Sequence, residues 1–144
     1  TLMLVDELKK VHADAFTFYL KAHYYHWNVE GPNFPQYHDF LQNLYQEVFA
    51  SIDSLAELIR TLDSYAPGTL TRLKELTTIE ETDDVPDAKT MMTRLLQENN
   101  ILRASLLTAY NTADSTGEVG ISNFLQDRIQ AHEKHAWMLR SILK

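Results

Sequence analysis

The sequence predicts an all-α protein, a four-helix bundle with one long connection between its second and third helices. Three observations carry that reading. Four Gly and four Pro in 144 residues are about half the usual share of breakers, which disfavours a turn-rich β-sandwich. Apolar residues recur at alternating steps of three and four over four separate stretches, the period of amphipathic helices. The polar stretch between the second and third of these is long enough to start the next helix at the far end of a bundle. Length and composition, with 44% hydrophobic and 23% charged residues, suit one globular domain over residues 1–144.

The first helix is expected from Leu2 to Val29, with Leu4, Leu8, Val11, Ala15, Phe18, Ala22, Tyr25 and Val29 as its stripe. Glu30-Gly31-Pro32-Asn33 breaks it, Gly standing where helices commonly end and Pro following. The second runs from Phe34 to Ser64 on Tyr37, Leu41, Leu44, Val48, Ile52, Leu55, Ile59 and Leu62. Pro35 falls in its first turn, where a missing N–H costs nothing, and Ala66-Pro67-Gly68 closes it. Residues 69–86 form the crossover, in which Thr69 caps a short extra helix through Leu70, Leu73 and Leu76. The third helix spans Asp87 to Thr112, with Met91 and Met92 as core filler. Ala113 to Gly120 reads as a polar loop, and the fourth helix spans Ile121 to Leu143.

Composition excludes several chemistries. With no cysteine there are no disulfides, thiolate zinc sites, iron–sulfur clusters or thiol nucleophiles. A net charge of −7 argues against DNA and anionic membranes as partners. No apolar run approaches the ~20 residues of a membrane span. The first residues lack the basic-then-apolar pattern of a signal peptide, so the expected compartment is the cytoplasm.

The second helix carries a further edge: His38, Gln42, Asp53 and Glu57, spaced by near-whole turns. A histidine, an amide oxygen and two carboxylates suit a hard divalent metal such as iron or manganese. His38 and Glu57, however, lie roughly 28 Å apart along one helix. The positions pair about a midpoint between residues 47 and 48. Two antiparallel copies therefore set His38 of one chain beside Glu57 of the other, and Gln42 beside Asp53. Two identical sites per dimer result, as an isologous interface requires. His26, near the end of the first helix, is placed to join His38. Trp27 reads as a packing anchor at the helix terminus. His23, His132 and His135 read as structural or surface residues.

The strings His26-Trp27-Asn28-Val29-x-Gly31-Pro32-x-Phe34-x-x-x-His38, Asp53-x-x-Ala56-Glu57-x-Ile59-Arg60 and Asp127-Arg128-Ile129-x-x-His132-Glu133-Lys134-x-x-Trp137-Met138-Leu139-Arg140 resemble the Dps-type mini-ferritins. The resemblance spans nearly the whole chain. It implies a ferritin-like bundle and a hollow dodecamer built from two-fold dimers. It also implies ferroxidase sites between subunits that oxidise Fe(II), typically with hydrogen peroxide, and a store of ferric iron inside. His26 and His38 match the family's histidine ligands, Asp53 and Glu57 its carboxylates from the partner chain. Trp27 matches a tryptophan that intercepts one-electron oxidants beside the site. Gln42 departs from the pattern, since the family usually has an acid there. A neutral amide oxygen supplies no charge, which implies weaker metal binding and slower oxidation. Zinc is a possible surrogate ion. The resemblance also places acidic pores near the start of the last helix, at Glu118, Asn123 and Asp127, with Asn123 again where an acid is common.

Three rival readings stand beside this one. An intrachain di-iron site needs Glu-x-x-His on two helices, and no Glu here has a His three residues later. A DNA-protecting shell with weak ferroxidase activity is opposed by the acidic charge. An inert helical scaffold is the outcome if Gln42 has cost the site its metal.

Overall fold

The computed structural model describes residues 2–144 as helices α1 (Leu2–Asn28), α2 (Phe34–Thr61), α3 (Leu70–Leu76), α4 (Ala88–Ser115) and α5 (Val119–Leu143). The four long helices hold 25 to 28 residues each, about 40 Å at 1.5 Å per residue. α1 and α2 form one hairpin, α4 and α5 the other, and α1 packs on α4 so that the two hairpins share a core. α3 rides on α1 within the crossover. The expected all-α bundle with a helix-bearing crossover is the observed architecture.

The stripes read from the sequence face inward. Leu8, Val11, Phe18 and Tyr25 of α1 meet Leu41, Val48, Leu55 and Ile59 of α2, and Met91, Met92, Leu95 and Leu102 of α4 fill the space between the hairpins. Ile52 and Leu62 are only partly buried at the margin of this core. Thr69 caps α3 by accepting from the Arg72 N–H, and Asp87 caps α4 by accepting from the Thr90 N–H.

Three boundaries differ from expectation, each for a backbone reason. α2 stops at Thr61 rather than Ser64, because Asp63 adopts a left-handed conformation (φ 60°). Its N–H and that of Ser64 then return to the carbonyls of Arg60 and Ile59. α4 continues to Ser115, three residues past Thr112, and α5 begins at Val119. The expected eight-residue loop shrinks to a tight turn at Gly117 (φ 77°), where the Glu118 N–H bonds the Ala113 carbonyl at 2.9 Å. Both ends are Schellman motifs, one using Asp and one using Gly at the left-handed position.

The crossover is tied down by polar side chains of α1. Asp14, 0% exposed, accepts from the Thr77 and Thr78 hydroxyls, the Thr78 N–H and the Ser105 hydroxyl of α4, all at 2.7–2.9 Å. The Lys21 ammonium donates to the Glu80 carbonyl at 2.8 Å and to Glu98 at 2.6 Å. His12 donates to the Pro67 carbonyl at 2.9 Å. A long connection of this kind is ordered by buried hydrogen bonds, because it has little apolar area of its own to bury.

Candidate metal centre

The turn at residues 29–33 folds the end of α1 back on the start of α2 and lays His26 against His38. Their rings stack at 3.8 Å between centroids with 19° between planes. Each ring is fixed by the other's backbone. His26 Nδ1 bonds the His38 carbonyl and His38 Nδ1 bonds the His26 carbonyl, both at 2.9 Å. A carbonyl only accepts, so both Nδ1 atoms carry the proton. In the neutral rings both Nε2 atoms are therefore free lone-pair donors. Imidazole ligands are commonly oriented by a carbonyl on the other ring nitrogen, so the pair suits a metal ion without rearrangement of the tautomer.

Aromatic rings surround the pair. Phe34 lies 4.9 Å from His38 and Tyr45 lies 5.2 Å from His26. His23 is sandwiched between Tyr45, stacked at 3.8 Å, and Trp27, at 4.0 Å. The Tyr19 hydroxyl donates to His23 Nδ1 at 2.9 Å, since a neutral imidazole nitrogen is the better acceptor. Burial and the neighbouring His26 hold the His23 pKa below its ordinary value. Trp27, 59% exposed, packs one side of its ring on His23 at the helix terminus.

The other candidate ligands stay apart within one chain. Gln42 sits one turn past His38 and is half-buried, while Asp53 and Glu57 are exposed farther along α2. Among the described residues, no group of three or more His, Asp or Glu side chains converges to hold a metal. The exposed positions of α2 nevertheless share a face opposite the buried Leu41, Leu44, Val48, Leu55 and Ile59. Phe49, beside the midpoint about which the candidate ligands pair, is 55% exposed on that face. Of the pore candidates, Glu118 precedes the first turn of α5 without capping it, and Asn123 and Asp127 lie exposed one turn apart.

The bundle interior holds a polar network that the sequence did not disclose. Arg128 of α5 forms a two-pronged ion pair with Glu47 of α2, at 2.6 and 3.0 Å. His135 Nε2 bonds the same carboxylate at 2.7 Å. Arg128 also donates to His132 Nε2 at 3.1 Å, and His132 Nδ1 donates to the Asn99 side-chain oxygen at 2.7 Å. Burial alone pushes the Glu47 pKa up, but hydrogen bonds from His135 and Arg128, with the Arg128 charge, hold it well below the ordinary carboxylate range. Burial, reinforced by Arg128, holds His132 well below the ordinary histidine value. The available signal was a spacing: Arg128, His132 and His135 lie one turn apart between the core residues Leu125 and Leu139. The histidines, read as structural or surface residues, are structural and buried.

Four long helices, a helix-bearing crossover and a stacked imidazole pair at the α1–α2 turn define a helical protein of the ferritin-like class. The chain belongs to the ferritin family: the ferritin-like domain model matches residues 5–144, and the relatives place it among the Dps-type mini-ferritins. A DNA protection during starvation protein of Brevibacillus brevis is 33% identical over 92% of this chain and 89% of that protein. A low temperature-induced protein of Nostoc sp. is 32% identical over 98% of this chain and 80% of that protein. The crystal structure of a Dps protein from Vibrio cholerae, described as a member of a broad superfamily of ferritin-like diiron-carboxylate proteins, superposes with a TM-score of 0.95. It shares 30% identity and covers 99% of this chain and 90% of that chain.

Proposed function

We propose that the protein is an iron-sequestering mini-ferritin that oxidises Fe(II), its substrate, with hydrogen peroxide at sites between two subunits. It stores the ferric product in a hollow cytoplasmic dodecamer built from two-fold dimers. The observation that carries this reading is the reciprocal lock of His26 and His38, which presents two Nε2 lone pairs beside the carboxylate-bearing face of α2. His26 and His38 hold the ion from one subunit, Asp53 and Glu57 from the other, and the neutral imidazoles and carboxylates leave positions open for the oxidant. Each peroxide accepts one electron from each of two Fe(II) ions and leaves as water after taking up two protons. The carboxylates favour the more highly charged product. Trp27 intercepts stray one-electron oxidants. Glu118, Asn123 and Asp127 line the entry route, whose field is softened by the uncharged Asn123. Zinc occupies the same ligands as a non-oxidisable competitor.

The relative named for DNA protection fits this reading without DNA contact, because removing Fe(II) and peroxide together removes the reactants of hydroxyl-radical formation. A second reading, a protective or scaffold shell with little ferroxidase activity, is favoured by Gln42 alone. Subunit mixing tests the first. His26→Ala/His38→Ala and Asp53→Ala/Glu57→Ala variants are each inactive alone. Co-assembled from denaturant in equal amounts, they recover peroxide-dependent Fe(II) oxidation at about a quarter of the parent's sites, since half the dimers are mixed and each holds one intact site. No recovery in correctly assembled particles overturns the inter-subunit site. Gln42→Asp, adding a charge beside the ion, raises the oxidation rate. Equal background rates in the parent, His38→Ala and Gln42→Asp leave only the shell.

A further inference from the structure

We propose that Tyr19 is the end of a radical relay: an electron hole caught at Trp27 passes across His23 to Tyr19, and the Tyr19 phenol proton moves to His23 as the hole arrives. The observation is a single imidazole that holds an indole and a phenol together. His23 packs on Trp27 at 4.0 Å between ring centroids and on Tyr45 at 3.8 Å. The Tyr19 hydroxyl donates to Nδ1 of the same imidazole at 2.9 Å.

Each ring has the character its place demands. Trp27 is exposed, so a diffusing oxidant reaches it. Tyr19 is half-buried beside Phe49, at 4.9 Å, and Tyr45, at 6.1 Å, which shield a radical there from solvent. A phenol gives up an electron readily only when its proton has somewhere to go, because the phenol radical cation is a strong acid. The bond to His23 puts a base within proton-transfer reach. Nδ1 is the acceptor at rest, so the ring's own proton sits on Nε2 and the phenol proton completes an imidazolium. Burial, and then the neighbouring Tyr45, hold the Tyr19 pKa above its ordinary value, so the resting phenol keeps its proton. Tyr45 lacks this coupling to His23. Its ring lies parallel to the imidazole, with 8° between planes, whereas the nitrogen lone pairs lie in the imidazole plane.

Electrons and protons balance at each step. A hydroxyl radical takes one electron from the Trp27 indole and leaves as hydroxide. The indole radical cation takes one electron from Tyr19 as the phenol O–H bond breaks and its proton goes to His23 Nδ1. Trp27 is restored, and a neutral Tyr19 phenoxyl stands beside a His23 imidazolium. One electron from Fe(II) and the proton returning from His23 restore the phenol. The inference rests on the proposed function for its natural oxidant and for Fe(II); the relay itself is tested without iron.

The test uses the assembled, metal-free protein carrying Tyr65→Phe and Trp137→Phe, which leaves Trp27 as its one tryptophan. Flash-generated tris(bipyridine)ruthenium(III) is the one-electron oxidant, and freeze-quenched electron paramagnetic resonance separates indole from phenoxyl radicals. A phenoxyl signal is expected to grow as the Trp27 signal decays, more slowly in heavy water because the O–H bond breaks in that step. Adding Tyr19→Phe abolishes the phenoxyl and prolongs the Trp27 radical. Adding Trp27→Phe abolishes it with Tyr19 in place. Adding His23→Phe keeps a ring between Tyr45 and Trp27 but removes the base, so the phenoxyl and the solvent isotope effect are both lost. If circular dichroism shows that His23→Phe does not fold, His23→Gln, whose amide is no base, answers with the same expected loss. A phenoxyl that persists with Tyr19→Phe, or forms undiminished in the folded His23 variant, overturns the relay. Fe(II) oxidation at full rate in a protein that yields no phenoxyl under the flash overturns the relay and leaves the proposed function standing. A Tyr19-dependent phenoxyl in a protein that oxidises no Fe(II) supports the relay and overturns that function.

Discussion

His132 carries the clearest consequence of a single side chain. The unfolded chain takes up a proton on this ring near pH 6.5, while the folded one resists until far lower pH, because burial and then Arg128 penalise the imidazolium. The unfolded state therefore binds more protons in that window, and stability falls as pH drops below about 6.5. The Glu47 pKa is depressed on folding, so its contribution is present above the ordinary carboxylate range and is lost at still lower pH. Urea midpoints measured at fixed protein concentration are expected to be level from pH 7.5 to 7 and to decline below 6.5. His132→Asn flattens that decline while lowering the midpoint throughout, by about 1–3 kcal/mol for the broken buried network. A parent whose midpoint is constant from pH 7 to 5.5 contradicts this account.

At the level of the helices, the two left-handed ends make opposite predictions. Asp63→Gly relieves a side chain from a conformation that L-residues adopt at a cost, and raises stability by about 0.5 kcal/mol. Gly117→Ala imposes that strain and lowers stability by about 1 kcal/mol, although no atom lies within 4 Å of the added methyl. Thermal unfolding of both variants checks the pair; equal shifts of one sign count against the backbone explanation. These ends also show where sequence reading stops. The helices were legible because each carries an apolar stripe and a breaker beyond it. The stop at Asp63 was not, since Asp tolerates the left-handed region without advertising it. The run of α4 through Ala113 to Ser115 was masked by polar residues that only the Gly117 turn organises. The His26–His38 pair was readable because two histidines flank a single turn. The Arg128 network was not: its partners lie 81, 88 and 33 residues apart in the chain, and only packing brings them together.

For the molecule as a whole, the proposed two-fold contact sets the outer face of α2 between subunits. Phe49 is exposed there beside Gln46, with Asp53 and Glu57 farther along. Phe49→Asp places a charge at the middle of the proposed contact, and sedimentation is expected to show smaller species and loss of Fe(II) oxidation together, with the helical content retained. A full-size particle with this substitution removes the two-fold axis from that face. The chain also carries its own gauge of occupancy. It has two tryptophans; Trp27 rests 4.0 Å from His23, whose ring lies 5.9 Å from that of His26, while Trp137 stands on α5 outside that cluster. Ultraviolet light absorbed by Trp27 is re-emitted one ring away from the proposed ligand His26, across His23. On the proposed reading, a paramagnetic ion arriving at His26 and His38 is expected to dim that emission, and the glow of Trp137 to persist as the reference against which filling is counted.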